Sequence, residues 1–247
     1  MSLTTLIILL TVLAFVLVHV FGGKLAFLSG TPRSVWLSAA GGVSVAYVFV
    51  HLLPELAKHQ EVIGDRARSA GLLGAVESHA YLIALFGLGL FYGVERFARS
   101  AMGERRPQGE VRSPSVFWVH LGAFALYNVL IGYLLLHREE NDLRGLIVYA
   151  VAMSLHFIVN DQGLRQQHGE TYHRYGRWIL AVAPVAGLLL GLTTNVSALL
   201  LSSLFAVLAG GVILNVLKEE LPEDRQSRFS AFALGAIAYS ALLLLTA

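Results

Sequence analysis

Long windows almost free of charge recur along the chain, each bounded by a short polar break. A helix of about 20 residues matches a hydrocarbon core about 30 Å thick. The windows therefore predict eight membrane-spanning helices, at roughly 3–22, 34–54, 77–98, 115–137, 144–163, 176–193, 196–217 and 229–246. The expected fold class is all-α: a polytopic membrane protein forming a single transmembrane domain over 1–247. The first window lacks a basic leader and a small-residue cleavage site, so it reads as a span rather than a signal peptide. The longest break, 99–114, contains Gly103, Pro107, Gly109 and Pro114 and reads as a cytoplasmic linker between the third and fourth spans.

Composition sharpens this picture. Hydrophobic residues make up 56% of the 247 positions and charged residues 14%, far from the balance of a soluble domain. The absence of cysteine excludes disulfides and thiolate chemistry, so any metal must be held by nitrogen and oxygen. The net charge of +2 does not point to nucleic acid, because the basic residues lie in the breaks between spans. The breaks after the first, third, fifth and seventh spans, with their flanks, carry 13 Lys and Arg, and the opposite side carries 5. That bias puts both termini on the non-cytoplasmic face of a cell or inner membrane. The outer face has seven acids against its five bases, a weakly negative mouth that concentrates cations.

A short echo links the two halves of the chain. Ala40-Gly41-Gly42-Val43 precedes Leu53-Pro54-Glu55 in the second span, and Ala209-Gly210-Gly211-Val212 precedes Leu221-Pro222-Glu223 in the seventh. With the orientation above, the two spans cross in opposite directions, the signature of an inverted repeat relating spans 1–3 to spans 6–8. Chance recurrence of cheap strings is the competing reading. The small residues also serve close helix approach.

Polar groups at membrane depth are costly and mark either a pathway or a hydrogen-bonded packing contact. Tyr127 and Asn128 fall near the middle of the fourth span. His156 falls near the middle of the fifth, with Asn160 one turn on and Asp161 beside it. The short break between these spans predicts antiparallel neighbours whose polar centres meet. Imidazole, carboxamide and carboxylate groups suit Zn²⁺ or Fe²⁺, whereas an Asn128–His156 hydrogen bond is the plain structural alternative. His51 and Glu55, at i and i+4, share a face at the outer end of the second span and form a candidate entrance. His59, His79 and His137 add donors outside. The segment from His168 to His173 reads as a cytoplasmic polar loop more readily than as a transient cation site, and Lys218, Glu219 and Glu220 form an inner end that pairs or lines an exit, with interfacial snorkelling the cheaper reading of the lysine. His19 and His120, single imidazoles on apolar spans, read as packed and hydrogen-bonded rather than as ligands.

The second span, with Gly41-Gly42 leading to His51-Leu52-Leu53-Pro54-Glu55, resembles the ZIP family of zinc- and iron-transporter-like proteins. Val94-Glu95-Arg96 at the end of the third span and Gly211 leading to Glu220-Leu221-Pro222-Glu223 in the seventh extend the resemblance over essentially the whole chain. The departures fall on the family's ligand motifs. Where its fourth span reads His-Asn-x-Pro-Glu/Asp-Gly, this chain has Tyr127-Asn128-Val129-Leu130-Ile131-Gly132. Where its fifth reads His-Glu-x-Pro-His/Glu, this chain has His156-Phe157-Ile158-Val159-Asn160. The resemblance implies a transporter moving a divalent metal cation toward the cytoplasm, as cargo rather than as a resident cofactor. Asn128 and His156 would be midplane ligands, with Asn160 and Asp161 auxiliary, His51 and Glu55 at the outer entrance, and Tyr127 and Glu220 along the pathway. The alternative is the same fold without metal transport: a sensor, a partner-binding protein or a carrier of another small solute. No HExxH or GxSxG motif points to an enzyme, and no lysine stands at mid-span as a retinal protein requires. The expected partners are the lipid bilayer, the divalent cation and a second copy of the chain, with no nucleic acid.

Overall fold

The computed structural model describes residues 2–24, 34–67, 79–102, 114–137, 143–220 and 228–246. Among these the secondary structure is entirely helical. Most of the linker (103–113), the Glu220 side chain and Leu221-Pro222-Glu223 of the echo lie outside the described residues.

The first helix, α1 (Leu3–Phe21), begins at Ser2, whose side chain accepts a hydrogen bond from the Thr5 backbone N–H. Its leucines 3, 6, 10, 13 and 17 form an exposed stripe, while Thr11, Phe15 and His19, spaced by four, face inward. An apolar exposed face of this extent is what lipid requires. Gly22–Lys24 closes the helix as a 3₁₀ turn.

Helix α2 (Val35–Tyr47), capped by Ser34, passes through a π turn (Val48–Leu52) into α3 (Leu53–Ala67). Pro54 has no N–H to donate, and just before it the Leu53 N–H reaches back five residues to the Val48 carbonyl. Helices α4 (Ala80–Met102) and α5 (Pro114–Leu134) follow, then α6 (Leu143–Thr171). A π turn (Tyr172–Gly176) joins α6 to α7 (Arg177–Thr193). The polar loop expected around His168 is instead helical apart from a break at Gly169, where φ is 52° and ψ −123°, a conformation open to glycine. Helix α8 (Ala198–Asn215), capped by Ser197, leads into another π turn (Val216–Glu220), and α9 (Phe229–Thr246) ends the chain's described part.

Six segments are long and apolar enough to cross a membrane: Leu3–Lys24, Val35–Glu61, Ala80–Phe97, Phe117–Leu134, Leu143–Thr193 and Ala198–Lys218. The protein is therefore an all-helical chain with the character of an integral membrane protein. Phe229–Leu245 is a shorter apolar helix, and Leu143–Thr193 contains the Gly169 break.

Three helix pairs make the closest approaches: α2 with α9, α4 with α8, and α5 with α7. Glycines permit each one. A Cβ at Gly42 would overlap the Phe232 carbonyl, one at Gly210 the Ala84 carbonyl, and one at Gly132 the Pro184 carbonyl. Helix α1 packs on α6 and α7, and α6 also lies against α2. Helix α6 thus runs between α1 and α2, and its inward face carries the polar midsection.

Candidate functional site

Two hydrogen-bonded groups occupy successive turns of α6, one on each side of Phe157. In the first, His19 of α1 bridges α5 and α6. Its Nδ1 lies 3.1 and 3.0 Å from the two Asp161 carboxylate oxygens, and its Nε2 lies 3.1 Å from Asn128 Oδ1. The Asn128 amide donates through Nδ2 to the Phe124 carbonyl at 2.7 Å, which fixes its oxygen toward the imidazole. His19 Nε2 therefore carries a hydrogen and donates. A single further proton serves the Nδ1–carboxylate contact, so the pair is neutral overall whichever atom holds it. Neutrality is what permits an Asp161 of 0% exposure beside a His19 of 1%.

The second group joins α5 and α6. His156 Nε2 lies 3.0 Å from the Tyr127 hydroxyl and 2.9 Å from Asn160 Nδ2, one helical turn away. Both donors converge on one ring nitrogen, so Nε2 is the acceptor. Asn160 Oδ1 is buried with no hydrogen-bond donor among the described residues. Phe157 stands between the groups, its ring centroid 4.7 Å from that of His19 and 6.4 Å from that of His156. The expected midplane set is thus divided: Asn128 and Asp161 meet through His19, and His156 and Asn160 meet with Tyr127. Helices α5 and α6 do meet at their polar centres, through side chains, while the backbone of α5 packs on α7.

A cavity of about 50 Å³ opens at the end of the bundle where α6 begins. His51, Glu55, His59 and His137 line it together with Tyr149 and Met153 of α6. The expected entrance pair, His51 and Glu55, is therefore in one cavity. Glu55 is nearly buried and pairs with Lys58 at 3.1 Å. His59 Nδ1 contacts Ser202 Oγ at 2.9 Å. His137 donates Nδ1–H to the Tyr133 carbonyl at 3.1 Å, which leaves the lone pair on Nε2, the arrangement by which a backbone carbonyl orients a metal-binding imidazole. Among the described residues, no group of three or more His, Asp or Glu side chains is placed to hold a metal ion.

At the opposite end of α6 a second cavity, about 90 Å³, is bounded by His19, Lys24, Tyr172, His173 and Arg177. From Tyr149 to His168, short of the Gly169 break, the chain advances on the order of 30 Å at the α-helical rise, so the two cavities lie toward opposite ends of α6. Met153, in the lining of the first, is one turn from His156. His19, at the end of the second, is bonded to Asp161.

A third polar chain near this second end was not anticipated. Lys218 Nζ lies 2.6 Å from Glu95 Oε1, Glu95 Oε2 lies 3.0 Å from His120 Nε2, and His120 Nδ1 lies 3.0 Å from His168 Nε2. It joins α4, α5, α6 and the π turn after α8. Lys218 does pair, as one sequence reading allowed. His19 and His120 are buried and hydrogen-bonded as expected, but their partners were not foreseen. The available signal was Asp161 itself: a mid-span carboxylate demands a proton donor, and His19 is the one titratable residue on the inward face of α1.

Against known proteins the outcome is brief. No protein-family model matches the chain, and no curated protein matches its sequence.

Proposed function

We propose that the chain is a transporter of ZIP-like type that carries a divalent metal cation of the zinc or iron class toward the cytoplasm along α6. The observation that carries this reading is the alignment of two cavities, one from each end of α6, on a polar midsection that separates them. Such an arrangement fits an occluded carrier, in which neither side reaches the other until helices shift. His51, Glu55, His59 and His137 would capture the cation, and His156 with Asn160 Oδ1 would receive it. Tyr127 would guide the transfer, Asn128 and Asp161 would act through His19, and Glu220 would line the exit.

Dividing Leu143–Thr193 at Gly169 and adding Phe229–Leu245 gives eight spans. The π turns that follow Ala40-Gly41-Gly42-Val43 and Ala209-Gly210-Gly211-Val212 support an inverted repeat, since matched sequences adopt matched local geometry. The bias of basic residues supports a topology with the His51 cavity and both termini outside. A second reading, the same fold without metal transport, draws on the mutual satisfaction of His19, Asp161 and Asn128, which leaves that group no vacant donor atom for a cation.

Uptake of zinc, iron, manganese and cadmium into proteoliposomes decides between them. The wild-type protein is expected to accumulate at least one metal and His156→Ala to lose most of that flux. No uptake of any of the four would sink the transporter, and uptake indifferent to His156→Ala would move the site elsewhere.

A further inference from the structure

The cavity beside His19 has a chemistry that cation passage does not use. It is formed where the end of α1, the end of α6 and the start of α7 meet, and its walls bring Lys24, His173 and Arg177 around Gly23. Arg165 stands behind them. A Cβ on either Gly22 or Gly23 would lie 3.4 Å from its Nη1, ordinary contact distance, so the guanidinium rests against the end of α1. Arg165 Nη2 donates to Gln162 Oε1 at 2.6 Å, but Nη1 is buried and has no acceptor among the described residues. Arg177 Nε is in the same condition. Both guanidinium groups act electrostatically on the Tyr172 hydroxyl, which is 1% exposed and also feels Asp161. Asp161 is committed to His19. Two buried guanidinium N–H groups without acceptors among the described residues, one in and one beside a cavity ringed by further basic side chains, call for an anion.

We propose that this cavity binds a phosphate-class oxyanion, held by Arg177, Lys24 and His173 of its lining, with the Arg165 guanidinium adding positive charge from beside Gly22 and Gly23. Guanidinium forks match phosphate oxygens in pairs, which favours this anion over a halide. The surroundings place the site at headgroup level. The Lys24 ammonium lies 5.1 Å from the Phe21 ring centroid, Arg177 lies 4.9 Å from that of Trp178 and Arg174 lies 5.3 Å from that of Tyr175, and these aromatic rings are exposed. The phosphate can therefore belong to an anionic phospholipid or be free in solution. Occupancy ties α1 to the α6–α7 turn next to the His19–Asp161 pair, whatever solute the protein carries.

The test uses the full chain in a maltoside detergent, which brings no phosphate of its own. Thermal unfolding is followed against inorganic phosphate at constant ionic strength with chloride as control, and retained phosphatidylglycerol is read by native mass spectrometry. Saturable stabilisation by phosphate alone supports a free oxyanion. Retained phosphatidylglycerol that phosphate displaces supports a headgroup. Arg177→Gln is expected to weaken binding about tenfold or more, and Arg165→Gln, whose charge acts from outside the lining, about threefold. Lys24→Gln, on an exposed side chain whose loss leaves the fold intact, is expected to weaken it about threefold. Neither stabilisation nor retained lipid in the wild-type protein overturns the proposal. So does affinity unchanged in Lys24→Gln combined with either arginine variant.

Discussion

The two groups on α6 are built from similar parts and differ in how they are satisfied. Around His19, every nitrogen and oxygen that faces inward has a partner, and the carboxylate and imidazole share one proton. Around His156, two donors crowd one nitrogen while Asn160 Oδ1 has no donor among the described residues. The first is a closed structural joint between three helices. The second has an oxygen to spare, and that is the property a passing cation needs. Phe157 separates them, its ring centroid 4.7 Å from that of His19 and 6.4 Å from that of His156.

The largest effect is expected at the closed joint. Asp161→Ala leaves a buried imidazole without its proton partner and should cost about 3–5 kcal/mol, read as lost monodisperse protein and a lower unfolding temperature in detergent. The double variant His19→Leu with Asp161→Leu should recover most of that loss. If Asp161→Ala is as stable as the wild type, the closed joint does not hold the helices together. A smaller and opposite effect is expected at the open group. Asn160→Asp puts a carboxylate beside His156 and should tighten zinc binding about tenfold, about 1.4 kcal/mol, measured by competition with a chromogenic chelator. Unchanged affinity would separate Asn160 from the cation. The smallest effect is Tyr127→Phe, which removes one interhelical hydrogen bond worth about 0.6 kcal/mol and should barely shift unfolding. A loss comparable to that of Asp161→Ala would show that the two groups are equally structural.

The shared face of His51 and Glu55 was legible in the sequence. His51 and Glu55 share a face because four residues is close to one helical turn, and they line one cavity as that spacing demands. The division of the midsection was not legible. Spacing placed Asn160 and Asp161 about 100° apart on α6, which says that they diverge but not toward what. Asp161 turns to a histidine 142 residues away in the chain. The region around His168 was misread for a different reason: its polarity imitates a loop, whereas burial against His120 and Phe117 keeps it helical.

By itself the sequence determined that the chain forms apolar helices of membrane length, and which faces of them are polar. Those are local consequences of backbone hydrogen bonding in hydrocarbon and of a 3.6-residue repeat. Tertiary structure alone decided the partners. Glycines at 42, 132 and 210 let particular helices touch backbone to backbone, and that contact sets the rotation of each helix. A rotation of a few tens of degrees in α1 or α6 determines whether Asp161 meets His19 at all. No local pattern encodes that angle, because it is fixed by packing between segments far apart in the chain.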